Sequence, residues 1–186
     1  MPGYLSDGRY GGLGCKLVTY FPGNPDRSRP LPSIMANIIL MDDETGELKA
    51  IVDGTEITSW RTAAASAVAT KYLHHGKPNS ENKILSIIGA GTQGKIHAIA
   101  FQHFFKFSEV RVWNRNSERA TNLVKELNGK ASGTFVAHDN VQECVREADV
   151  IVTATAAEEP VIKNEWLKKG VHINGLLVKY FCPYTL

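Results

Sequence analysis

The sequence predicts an α/β protein: a parallel sheet with helices on both faces, preceded by part of an antiparallel β domain. Residues 14–54 contain extended segments separated by loop and turn sequences, which is typical of an antiparallel meander. From residue 83 onward, short apolar runs alternate with helical periodicity, which indicates a parallel sheet with crossover helices. A glycine-rich turn joins the first of these runs to the next helix.

Three strands are predicted in the antiparallel region. Residues 14–21, 34–41 and 48–54 are apolar and β-branched. A loop with four prolines, residues 22–32, separates the first two strands. Gly46 is expected to supply a positive φ in the turn between the last two.

A helix follows, predicted over residues 62–73 from its strong helix formers. Thr58 or Ser59 is expected to cap its start. Gly76 is expected to end it, at the beginning of the linker between the two regions. His74 and His75 are expected to cap its last turn.

The second region has the rhythm of a parallel sheet. Ile96, Ile99, Ala100 and Phe104 recur at helical spacing and are expected on one buried helix face. Gly129 is expected to stop a later helix. The remaining predicted elements are strands 83–88, 109–114, 149–155 and 171–174, and helices 117–129 and 140–148.

Composition excludes several functional classes. The 186 residues are 43% hydrophobic, enough for a core, and suffice for one domain plus part of another. A net charge of +2 is too small to indicate nucleic-acid binding, and no apolar run is long enough for a membrane span. The three cysteines and six histidines show no metal-ligand spacing, so we expect no metal and a reducing, cytoplasmic location.

Residues 87–94, IIGAGTQG, follow a predicted strand and open a predicted helix, as the dinucleotide-binding fingerprint of a Rossmann domain requires. Gly89 would allow the tight turn, Gly91 the approach of the backbone to a pyrophosphate, and Gly94 close helix–strand packing. Amides at the helix start favour anions. The other residues expected in this cradle are Ala90, Thr92 and Gln93. The alternative is a structural turn without a ligand.

The next strand ends in VWNRN, where an NAD site usually carries a carboxylate for the ribose hydroxyls. Asn114 can bond the ribose instead, and Arg115 can meet a 2′-phosphate with its guanidinium. Asn116 or Ser117 could add a donor. The sequence therefore favours NADP(H), unless Arg115 is only a solvated loop arginine.

Arg61 is expected in the first turn of the linking helix, where a cation opposes the helix dipole. A bound anion, either a substrate carboxylate or a cofactor phosphate, would compensate, and Thr62 could add a hydroxyl. The alternative is a surface ion pair with Asp53 or Glu56.

Lys16 lies inside an apolar strand. Strand alternation can direct it to solvent. If it instead faces a pocket, desolvation would suit it to proton transfer or imine chemistry.

The segments KLVTYF, DGTEITSWRTAAASAVATKYL, IIGAGTQG, VWNRN, ADVIVTAT and EWLKKGVHIN resemble, in this order, the ornithine cyclodeaminase/mu-crystallin family. The resemblance covers roughly residues 13–174 and is closest to the mu-crystallin branch. It implies a dimerisation and substrate domain joined to a Rossmann domain, in a homodimer. It also implies NADPH-dependent reduction of cyclic ketimines and thyroid hormone binding, whereas the cyclodeaminases use NAD.

The resemblance implies individual roles as well. Lys16 matches the active-site lysine, a proton donor or base at the imine. Arg61 matches an arginine near the substrate carboxylate and the cofactor. Thr153 and Thr155 would border the nicotinamide. Cofactor contacts are implied for Thr62, Gly91, Gln93, Asn114 and Arg115.

The chain departs from the family pattern at both ends. We expect a partial substrate domain over 1–76, an incomplete NADP-binding domain over 77–175 and a divergent apolar tail over 176–186. From the resemblance we expect the family's segment before Met1 to be missing, together with a carboxylate of the cyclodeaminases, because no acidic residue follows Glu165. Three hypotheses remain open: an imine reductase, a hormone-binding protein without turnover, and an inactive, poorly soluble truncated product.

Overall fold

The structure is a computed structural model that describes residues 2–6, 11–78 and 82–176. It contains two compact units, residues 1–61 and 62–186, each with its own sheet. The predicted domain boundaries at residues 76 and 175 remain predictions. The predicted tail lies outside the described residues, except for Leu176.

The sheet of the first unit is antiparallel, with its strands in chain order. Its strands are β1 (Pro2–Leu5), β2 (Gly12–Tyr20), β3 (Ile34–Met41) and β4 (Leu48–Asp53). Strands β2, β3 and β4 were predicted, whereas β1, which adds an edge strand along β2, was not. Gly46 has φ 74°, as expected for the turn between β3 and β4.

Helix α1 (Thr55–Leu73) begins one turn earlier than predicted. The predicted caps Thr58 and Ser59 are wrong, because both lie inside the helix. The Thr58 hydroxyl donates to the carbonyl of Gly54 at 2.6 Å. The carboxylate of Asp53 instead accepts from the amide of Thr55 at 2.8 Å and starts the helix.

The sheet of the second unit is parallel, with the strand order β7-β6-β5-β8-β9. Its strands are β5 (Ile84–Ile88), β6 (Glu109–Trp113), β7 (Phe135–His138), β8 (Val150–Thr153) and β9 (His172–Gly175). Helices α2 (Thr92–Phe105), α3 (Ser117–Lys130) and α4 (Val141–Val145) connect them. Strand β7 was not predicted from the sequence.

Two hydrophobic clusters place helices on both faces of this sheet, as predicted. One cluster joins α1, α2 and α3 to the strand residues Leu85, Ile87, Val110 and Val152. The other joins α4 to the opposite face through Ile88, Ile151, Cys144 and Val145. The parallel sheet is therefore covered by protein on both sides.

The helix-face prediction for α2 is partly wrong. Ile96 and Ala100 are buried, but Phe104 is 63% exposed, and Phe101 and Phe105 take its place in the core. Helix α3 also continues past Gly129 to Lys130. In the described parts of the chain, no helix has the length and hydropathy of a membrane span.

Candidate functional site

The glycine-rich turn lies between β5 and α2, at the point where the strand order of the parallel sheet reverses. The chain passes from β5 to β6 on one side, and β8 lies on the other side. Ligands of open α/β sheets bind in the crevice at such a switch point, outside the carboxyl ends of the strands.

Backbone packing within the protein requires two glycines of the turn, whether or not a ligand binds. Gly89 has φ 117°, a conformation that favours glycine, and a Cβ there would overlap the backbone of Ala154. A Cβ at Gly94 would overlap the carbonyl oxygen of Gly89. These contacts bring α2, β5 and the segment after β8 into close backbone packing.

Gly91 is different, because the protein does not require a glycine there. Its φ of −87° and ψ of −171° suit any residue, and a Cβ would meet no protein atom within 4 Å. The first bond of α2 runs from the amide of Lys95 to the carbonyl of Gly91 at 3.0 Å. The amides of Thr92, Gln93 and Gly94 therefore have no acceptor within the helix. A cleared space beside such amides fits a pyrophosphate.

Asn114 ties the glycine turn to the turn after β6. Its side-chain oxygen accepts from the amide of Ala90 at 3.1 Å, and its side-chain nitrogen donates to the carbonyl of Asn116 at 3.0 Å. The side chain of Asn116 accepts from the amide of Arg119 and caps α3. Both asparagines therefore shape the turn in addition to any ligand contact.

Arg115 lies between these two asparagines and is exposed. Among the residues that the structure describes, it forms no ion pair. No carboxylate occupies the end of β6, so this corner of the site carries a positive charge. A 2′-phosphate on the adenosine ribose suits that charge.

The segment after β8 forms the other wall of the turn. Thr153 is the last residue of β8, and the amide of Ala154 bonds the carbonyl of Ile88 at 2.7 Å. A Cβ at Gly89 would lie 3.2 Å from the Thr155 methyl group. Thr153 and Thr155 therefore lie close to the glycine turn.

Lys16 belongs to the first unit and is partly buried. It lies opposite Ile38 on β3, on the sheet face that also carries the buried Ala36. A Cβ at Gly54 would lie 3.0 Å from the Ile38 side chain, so the backbone just before α1 packs against this face. Lys16 thus lies on the face of the sheet that Gly54 approaches.

The expected position of Arg61 is wrong, because the early start of α1 places it in the second turn. The helix-dipole argument for a bound anion therefore fails. Arg61 is exposed, and among the described residues it pairs with neither Asp53 nor Glu56. Asp53 caps α1, and Glu56 accepts from the indole of Trp60 at 3.4 Å. Thr62, the next residue, is partly buried.

No role was predicted for His97, which is fully buried in α2. Its ring nitrogens contact the carbonyl of Gln93 and the hydroxyl of Ser66. The first contact is to a backbone carbonyl, which every residue supplies, so the sequence offered no signal for it. His74 directly follows α1, its amide bonds the carbonyl of Thr70 at 3.0 Å, and its ring stacks on His172 with centroids 5.9 Å apart.

The described residues contain no group of three or more His, Cys, Asp or Glu side chains that could hold a metal ion.

Comparison with known proteins identifies relatives of this chain. The family model of the ornithine cyclodeaminase/mu-crystallin family matches residues 1–179. Ketimine reductase mu-crystallin of Rattus norvegicus is 42% identical over 164 residues, covering 88% of this chain and 49% of the relative. The chain thus spans about half the length of this curated relative.

Solved structures show the same fold. Delta(1)-pyrroline-2-carboxylate reductase of Thermococcus litoralis, in complex with NADH and L-proline, superposes with a TM-score of 0.81 at 31% identity, covering 95% of this chain and 57% of that one. An archaeal alanine dehydrogenase dimer with bound NAD gives a TM-score of 0.76 at 32% identity, covering 93% and 54%. By sequence and by fold, this chain belongs to the ornithine cyclodeaminase/mu-crystallin family.

Proposed function

We propose that the protein reduces the C=N bond of small cyclic imino acids with NADP(H). Its relatives include a ketimine reductase and a pyrroline-carboxylate reductase, and both names denote reduction of an imine. The observation that carries the nucleotide part of the proposal is Gly91, whose missing side chain leaves space beside the first amides of α2.

The reaction adds a hydride to the imine carbon and a proton to its nitrogen, leaving a C–N single bond. The nicotinamide supplies the hydride when bound. The glycine turn would hold the pyrophosphate, and Thr153 and Thr155 would border the nicotinamide. Lys16 would deliver the proton, and Arg61 would bind the substrate carboxylate. Thr62 would contact the cofactor.

The choice of NADP(H) over NAD(H) rests on Arg115. An exposed guanidinium at the end of β6, where NAD sites usually carry a carboxylate, favours the additional phosphate. The runner-up is NAD(H), since the two solved relatives above contain NADH and NAD.

Titration of the purified chain with NADPH and with NADH tests this choice. Arg115→Asp should weaken NADPH at least about tenfold and NADH much less, because only NADPH carries the additional phosphate. Lys125→Glu, an equal change of charge at an exposed position of α3, is the matched control. Equal loss of both nucleotides in Arg115→Asp would remove the phosphate-reading role.

Turnover is tested by NADPH consumption with Δ1-pyrroline-2-carboxylate. Lys16→Ala should abolish it, whereas Lys49→Ala, which removes an exposed lysine paired with Asp42, should not. A rate independent of Lys16 would refute its catalytic assignment. NADPH-dependent binding of thyroid hormone without turnover would support the alternative, a non-catalytic binding protein.

The resemblance also implies a homodimer, and the first unit has a surface that suits one. Four apolar side chains on the sheet face opposite Lys16 are between 39% and 65% exposed: Tyr4, Leu17, Met35 and Ile51. A second copy would remove this apolar surface from water. Ile51→Lys should then shift the molar mass measured by light scattering from dimer to monomer. A reducing, cytoplasmic location remains part of the proposal.

A further inference from the structure

His97 forms two hydrogen bonds inside the second unit although it is completely buried. Its Nδ1 lies 2.8 Å from the carbonyl oxygen of Gln93, one turn earlier in α2. Its Nε2 lies 3.1 Å from the hydroxyl of Ser66 in α1. The imidazole therefore connects the first turn of α2, next to the glycine-rich turn, to α1.

The carbonyl of Gln93 determines the tautomer of the ring. A carbonyl oxygen can only accept, so Nδ1 carries the proton and donates to Gln93. Nε2 then accepts the proton of the Ser66 hydroxyl. Burial lowers the pKa of His97 below its ordinary value of 6.5, which keeps the ring neutral near pH 7.

The carbonyl of Gln93 and the amide of Gly94 belong to the same peptide group. That amide is one of those for which α2 itself offers no acceptor. The hydrogen bond from Nδ1 of His97 polarises this peptide group. The Gly94 amide then becomes a stronger donor, because hydrogen bonds in a chain reinforce one another. The same hydrogen bond from His97 also fixes the orientation of the peptide against the glycine turn.

We propose that His97 is a positioning residue for the bound dinucleotide: it holds the Gln93–Gly94 peptide so that the Gly94 amide faces the pyrophosphate. The Ser66 hydroxyl accommodates the tautomer that can do so, because it can donate to Nε2. This inference rests on the proposed nucleotide site. Ser66 also lies one helical turn after Thr62, which is predicted to contact the cofactor.

Two substitutions at position 97 separate the two nitrogens. In His97→Asn the amide nitrogen occupies nearly the place of Nδ1 and can still donate to Gln93. In His97→Gln the amide lies near Nε2, so the bond to Ser66 is kept and the bond to Gln93 is lost. We expect NADPH affinity within about twofold of wild type for His97→Asn and at least about fivefold weaker for His97→Gln.

Thr70→Val is the matched control. Thr70 lies on the same buried face of α1, donates to the carbonyl of Ser66 at 2.9 Å and accepts from the side chain of Asn174 at 3.0 Å, and neither bond involves His97 or the glycine turn. Its loss should lower the unfolding temperature and leave NADPH affinity unchanged. Nitrogen-15 spectra should show a protonated Nδ1 in the His97 ring of wild type, whose shift moves when NADPH is added.

Three results would overturn the inference. Equal affinity losses in His97→Asn and His97→Gln would mean that the Nδ1 bond has no special part in binding. A loss in Thr70→Val as large as that in His97→Gln would reduce the effect to general destabilisation. Failure of the wild-type chain to bind either dinucleotide would remove the proposed function itself, and the wild-type titration distinguishes this result from the other two.

Discussion

Gly94 in α2 packs so tightly on Gly89 that a Cβ at position 94 would overlap the Gly89 carbonyl oxygen. Gly94→Ala must therefore push α2 away from β5, and we expect a loss of about 2 kcal/mol or more in the free energy of unfolding. Urea denaturation measures it. Gly129→Ala is the control, because a Cβ at that exposed helix position meets nothing and should be neutral or stabilising. Equal effects of the two substitutions would contradict the packing argument.

Gly91→Ala, in contrast to Gly94→Ala, should leave stability nearly unchanged and weaken nucleotide binding. The position has ordinary backbone angles and open space, so the free energy of unfolding should stay within about 0.5 kcal/mol of wild type. The added methyl group would occupy the space assigned to the pyrophosphate, and NADPH affinity should fall at least about tenfold. Fluorescence titration and urea denaturation of the same sample measure both quantities. Unchanged affinity would indicate that no ligand approaches this position.

Asp149 joins three segments at the amino end of the parallel sheet. Its buried carboxylate accepts from the amides of Lys83 and Ile84, both at 2.8 Å, and from the ammonium of Lys168. Asp149→Asn should cost about 3 kcal/mol, because it removes the charge that this network is built around. Lys168→Met should cost at least as much, since it leaves the buried carboxylate charged and without its cation, whereas Asp149→Asn leaves only the partly exposed ammonium unpaired. Chemical denaturation decides, and a much smaller loss for Lys168→Met would refute this assignment.

Stability should fall as the pH is lowered from 7.5 to 5. Burial lowers the pKa of His97, His138 and His172 below 6.5, with further contributions from Arg111 at His138 and from His74 and Lys77 at His172. The unfolded chain then binds more protons than the folded one in this range. The stabilisation is complete above pH 6.5 and is lost as the pH falls towards the folded pKa values. Urea denaturation at several pH values measures the slope, and a flat or inverse dependence would contradict it.

Helices and longer strands were predictable because their signals are local. Strands β2, β3 and β4 and helices α2 and α3 were located within a few residues from hydrophobic periodicity and turn residues. The short strands β1 and β7 were not; each is recognised from its pairing with the preceding or following strand, β1 with β2 and β7 with β6. The start of α1 was misplaced because Asp53 caps it and the Thr58 hydroxyl bonds within the helix.

The candidate site also combines features that the sequence predicted with features that only the fold revealed. The order of residues along the chain was enough to identify the glycine fingerprint between a strand and a helix, and the arginine after the second strand. Only the tertiary structure showed that Gly89 and Gly94 serve backbone packing while Gly91 clears space. It alone revealed the contacts of His97 with Gln93 and Ser66, because those bonds join two helices whose approach no local pattern encodes. The sequence by itself determined which chemical groups are present. Packing between segments that are distant along the chain decided which of these groups lie at the glycine turn.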